Sequence, residues 1–114
     1  MTVLKKLLAG AVLLGSGGSA LWILPMPVAQ AAADIDNGHR LALQWCASCH
    51  LVANDQATVS TTAVASFFEI ARNPDMTDAK LTTFLADPHP MMPDMALSNQ
   101  EISDLTAYIT SLAR

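Results

Sequence analysis

Cys46 and Cys49 are the only cysteines in 114 residues, and His50 follows directly behind them. That spacing serves three chemistries: a redox dithiol, half of a zinc site, and covalent attachment of haem. A thioredoxin-like dithiol stands beside βαβ elements, and this chain has no Val- and Ile-rich strand run and no room for a parallel sheet. A structural zinc takes four ligands, and only His39 and His89 remain outside the cluster, with no second Cys-x-x-Cys. Cys-x-x-Cys-His, in contrast, is the attachment signature of haem c. Two thiols at i and i+3 project from one side of a helical turn, and each can bond a vinyl group. His50, four residues after Cys46, lies on the same face, where its imidazole can bind iron. A sulfur held as a thioether cannot form a disulfide, so no further cysteine is needed.

One axial ligand leaves the opposite iron position to be filled. Downstream, ADPHPMMPDM crowds Met91, Met92 and Met95 into a segment with Pro88, Pro90 and Pro93. Proline fixes its own φ and drives the preceding residue into extended conformations. Met92, immediately before Pro93, therefore sits on a stiffened loop that can hold a weak thioether ligand. Met91 and Met95 read as gap-filling core methionines. His89 stands close to the ligand loop but reads as a surface residue, as does His39.

The elements that must position these residues begin after a leader. MTVLKKLLAGAVLLGSGGSALWILPMPVAQAAADID opens with Lys5 and Lys6, runs apolar from Leu7 to Leu24, and ends in Ala29-Gln30-Ala31 or Ala31-Ala32-Ala33. A positive start, an apolar run and an A-x-A site describe a secretory signal peptide. A run of about 18 apolar residues can also just span a bilayer as an anchor. Glycines and serines at 15–19 and the helix breakers Pro25 and Pro27 favour cleavage instead. The expected organisation is a cleaved leader over 1–31, with the boundary at 31–33, and one domain over 32–114. No stable membrane insertion is expected after cleavage.

Cleavage after Ala31 leaves 83 of the 114 residues. A chain that short is marginal on core burial alone and needs a staple such as a cofactor. The 83 residues keep four bases (Arg40, Arg72, Lys80, Arg114) against ten acids, a net charge of −6. That charge argues against nucleic acid and anionic lipid as partners.

The pattern is all-α. A first helix starts at an Asp34 or Asp36 cap and runs to the cysteines. A short helix spans about Ser66 to Arg72 and stops before Asn73-Pro74. Thr77 caps a third, with Leu81, Phe84 and Leu85 facing inward and Pro88 halting it. In the last helix Ser98 and Glu101 form a capping box, with Leu97 and Ile102 as hydrophobic staple. Ile102, Leu105, Ile109 and Leu112 then line one side. Phe67, Phe68, Ile70, Phe84 and Leu85 read as the wall of a dry pocket, and Trp45 as packing beside the cysteine motif.

With those residues in place, the chain resembles the class I c-type cytochromes, of the short single-haem bacterial sort. The likeness covers nearly all of residues 32–114. It includes NGHRLALQWCASCH, with Gly38 eight positions before the first cysteine, then FLADPHPMMP and the closing LSNQEISDLTAYI. It implies a cytochrome c fold, about four helices wrapped around one covalently attached haem c with its iron. It implies thioethers at Cys46 and Cys49, axial ligands at His50 and Met92, and a close helix crossing at Gly38 beside Tyr108 and Leu105. Two departures stand out. Ala42 replaces the large residue usual four positions after that glycine, which predicts a looser crossing. STTAVASFFEIA lacks the usual proline whose carbonyl accepts from the proximal histidine, so the acceptor there is unassigned.

With both axial positions filled, iron offers no open site to a substrate. The expectation is an electron-transfer protein rather than an enzyme. It is an exported, periplasmic one-electron carrier between a donor enzyme and an acceptor, with redox proteins as its partners. Two other readings stand beside it: a five-coordinate haem sensor or peroxidase-like protein, and a dedicated electron-accepting subunit of a dehydrogenase.

Overall fold

A computed structural model describes residues 23–27, 31–57 and 63–114. Most of the expected leader, with positions 29 and 30 of the cleavage motif, lies outside the described residues. So do positions 58–62 of the loop after the cysteines. Among the described residues there are four helices and no strand, as the all-α pattern requires. No helix among them is long and apolar enough to cross a membrane.

Helix α1, Ile35–Trp45, is capped by Asp34, the first of its two candidate caps. The Asp34 carboxylate accepts from the Asn37 amide at 3.0 Å, satisfying one of the orphan donors of the first turn. Gly38, Leu41 and Ala42 form its buried stripe, one face at helical spacing. Helix α2, Phe67–Arg72, starts at a capping box in which Ser66 and Glu69 bond each other's backbone. Helix α3, Asp78–Ala86, has Thr77 as its cap and ends at Asp87, one residue before Pro88. Leu81 and Leu85 face inward, but Phe84 does not join them. It keeps 45% of its surface exposed and lies along the cavity described below.

Helix α4, Asn99–Ser111, is the element on which α1, α2 and α3 all pack. Its Ser98–Glu101 capping box is formed, and Ile102, Leu105 and Ile109 are buried, with Leu112 packed against the same cluster. The crossing of α1 and α4 is tight, contrary to the looser one that Ala42 predicts. A Cβ added to Gly38 would stand 2.7 Å from Tyr108 Cβ and closer still to the Asp104 carbonyl. The reason is additive: Gly38 and Ala42, four apart on one face, both withhold bulk from the contact, and Ala42 is fully buried.

A carboxylate is sealed into this crossing. Asp104 is 1% exposed. It accepts from the Asp34 amide at 2.8 Å, Asn37 Nδ2 at 2.6 Å and Gln100 Nε2 at 2.8 Å. Burial pushes its carboxyl up, but these three donors outweigh burial and hold it below its ordinary value. The start of α1 is thereby pinned to α4.

Candidate functional site

The chain leaves α1 in a turn that keeps helical bonding. Cys46 N–H donates to Ala42 O at 2.9 Å, and His50 N–H to Cys46 O at 2.9 Å. Cys46 is buried and Cys49 exposed, and the two thiols are not bonded to each other. Burial, with the Cys49 thiol alongside, pushes the Cys46 thiol up to about 11.

Gln56, Tyr108 and Phe67 hold this turn in place. Gln56 accepts from Val52 N–H at 2.8 Å and donates to the carbonyls of Ala47 and His50 at 2.9 and 3.1 Å. Tyr108 donates its hydroxyl proton to Val52 O at 2.6 Å, tying the exit of the turn to α4. Phe67 N–H donates to Leu51 O at 2.9 Å, closing the following loop onto α2.

His50 Nδ1 lies 2.6 Å from the Ala65 carbonyl. A carbonyl can only accept, so Nδ1 carries a proton, and in the neutral ring the lone pair is then on Nε2. The ring is thereby fixed in the tautomer that binds metal through Nε2. Ala65 supplies the acceptor that the missing proline left unassigned. The Phe67 ring leans against the imidazole at 5.5 Å between centroids.

An apolar cavity of about 260 Å³ opens on His50. Its walls include Phe67, Ile70, Phe84 and Leu85, as the pocket-wall reading expects, whereas Phe68 takes no part. Met92 lines it, together with His89. Met91 is 89% exposed, and neither it nor Met95 reaches the cavity, so the loop's methionines are separated by position. Met91 is therefore no core residue. Val64, Ala65, Met76, Leu81 and Ile109 complete the wall. Met76 escaped sequence reasoning because it stands alone in the turn between α2 and α3. A larger groove of about 500 Å³ between α3 and α4 is lined by Ala33, Asp78, Thr82 and Ala107 among others, away from both cysteines. Its small and neutral or acidic walls offer no donor set for a metal.

The expectations for His39 and Trp45 change, and the one for His89 is extended. His39 is half-buried rather than on the surface. Its ring stacks on Tyr108 at 5.0 Å, and its Nε2 is buried without a hydrogen-bond partner. His89 is exposed, as expected, and also lines the cavity. Trp45 leaves 44% of its surface exposed at the end of α1, beside the motif in sequence but not packed away against it.

The sequence matches, over residues 33–109, the family described as cytochrome c oxidase, cbb3-type, subunit III. It is 54% identical over 81 residues to cytochrome c-552 of Bradyrhizobium diazoefficiens, covering 71% of this chain and 77% of that protein. No solved structure matches. Haem c is the prosthetic group such proteins carry, and the residues present fit it. A dry cavity meets a histidine whose Nε2 is free, two free cysteines stand at the required spacing, and a thioether lies in the cavity lining.

Proposed function

The chain belongs to the small bacterial c-type cytochromes, and on that premise we propose an exported one-electron carrier with His/Met-ligated haem. It carries covalently bound haem c with its iron and transfers electrons between redox partners. In this reading Cys46 and Cys49 are the thioether residues, His50 the proximal ligand and Met92 the distal one. The observation that carries the ligand set is the shared cavity, which His50 and Met92 both line and which Met91 and Met95 do not. Imidazole with a soft thioether favours ferrous iron and raises the potential. Filling both axial positions leaves electron transfer, rather than substrate chemistry, as the work of the site.

Residues 1–31 act as the leader, residues 32–114 form the working domain, and the periplasm is its compartment. The protein runs between a donor enzyme and an acceptor. The description of its family names an oxidase subunit, which makes an oxidase the favoured class of acceptor.

The test uses protein recovered from the periplasmic fraction. Its intact mass should equal residues 32–114 plus one haem, and its ferric spectrum should show the weak far-red band of methionine sulfur on iron. Met92→Ala should abolish the band, while Met91→Leu and Met95→Leu keep it. A parent protein without the band would overturn the assignment of Met92, and a mass that includes the leader would overturn the processing site.

A further inference from the structure

His89 and Met92 stand at the two ends of one turn, in which Met92 N–H donates to His89 O at 2.8 Å. Both line the cavity that His50 lines. We propose that His89 is a reserve axial ligand: when the Met92 thioether leaves iron, the His89 imidazole takes the vacated position. This rests on the reading of Met92 as the resting ligand.

Four side chains along the cavity can donate to iron: His50, Met76, His89 and Met92. His50 is oriented by Ala65. Met76 packs against the core cluster, and its amide is held by Asn73 O at 3.0 Å. His89 differs from both, because it shares the short turn of Met92. Pro88 and Pro90 flank it and restrict the backbone on either side, so the exposed imidazole hangs from a stiffened segment at the mouth of the cavity. The exchange moves one turn, not a helix. Its direction follows from donor type: a thioether is a soft ligand suited to reduced iron, while imidazole binds iron well in either state. The consequence is protection. With His89 in reserve, loss of Met92 does not expose an open iron position to peroxide or carbon monoxide, so the site stays closed to the chemistry of a peroxidase or gas sensor.

The experiment compares four holoproteins: the parent, His89→Ala, Met92→Ala and the double variant. Met92→Leu, which keeps the packing volume, serves alongside Met92→Ala should the latter fold poorly. Electron paramagnetic resonance of the ferric forms and carbon monoxide binding to the ferrous forms are the readouts. Met92→Ala should lose the far-red band yet remain low-spin with two imidazoles, and should bind carbon monoxide slowly. The double variant should turn high-spin and bind carbon monoxide fast. If Met92→Ala alone is already high-spin, His89 is no reserve and the proposal is overturned, although the assignment of Met92 survives through the parent's band. A double variant that stays low-spin would assign the role to another donor such as Met76 and also overturn it. A parent that lacks the band and changes its spectrum on His89→Ala would make His89 the resting ligand, overturning both readings together.

Discussion

At Gly38 a single absent methyl group sets the distance between two helices. Its Cβ would fall 2.7 Å from Tyr108 Cβ and nearer still to a backbone carbonyl of α4. A backbone carbonyl cannot rotate away as a side chain can, so the helices themselves would have to part. Gly38→Ala gains a little helix propensity, but overpacking of this kind costs up to about 3 kcal/mol. The expected result is a fall of roughly 10 °C in the melting temperature of the holoprotein; an unchanged melting temperature would refute the close crossing. The residues of the candidate site differ in how sequence points to them. Type and spacing single out Cys46, Cys49 and His50, and the proline behind it singles out Met92; the fold sets His50 and Met92 on one cavity. The Ala65 carbonyl is not, because every residue has a carbonyl and only the folded loop selects one. His39 misleads for a related reason: it neighbours Gly38, so the close crossing that the glycine permits brings its ring over Tyr108.

The helices were legible from their ends. Asp34, Thr77 and Ser98 act as caps where spacing predicts them, and Ser66 with Glu69 repeats the same Ser-x-x-Glu device at α2. In both boxes the serine's backbone amide, with its hydroxyl, holds the partner glutamate below its ordinary range. Asp104 was not legible, because an acid in the middle of SNQEISDLTAY reads as a solvent-facing position. It becomes an anchor only because α1 brings the Asp34 and Asn37 donors to it. This anchor gives a pH dependence with a definite sign. The native carboxyl lies below its ordinary value, so its contribution is complete above the unfolded pKa of about 3.9. It is lost as the pH falls through the lower native value. Asp104→Asn replaces a charged acceptor with a neutral amide, and a hydrogen-bonded charge of this kind contributes about 2 kcal/mol. Denaturant unfolding at neutral pH should show that loss, and the gap between parent and variant should close in acid. A gap that persists unchanged below the native pKa would mean that the loss comes from shape rather than charge.

Over residues 32–114 the charge is −6, from four bases and ten acids. The acids are not spread evenly. The stretch from Asn73 to Ser98 holds Asp75, Asp78, Asp87 and Asp94 against Lys80 alone, and it also carries Phe84, His89 and Met92 of the cavity. Phe84 at 45% and Met91 at 89% exposure add apolar surface to the same stretch. A partner that approaches this stretch meets negative charge together with exposed apolar side chains, so the complementary face is basic. Charges arranged in this way raise the rate of encounter more than the final affinity. They act over about 10 Å at 0.1 M salt and less as salt is added. Electron transfer from the physiological donor should therefore slow as ionic strength rises. Asp87→Lys and Asp94→Lys should slow it at low salt and flatten its salt dependence, whereas Asp36→Lys at the start of α1 should do less. Stopped-flow rates across a salt series decide the matter. Equal effects from all three variants would mean that net charge alone steers the encounter, and a rate indifferent to salt would mean that the apolar surface does the docking unaided.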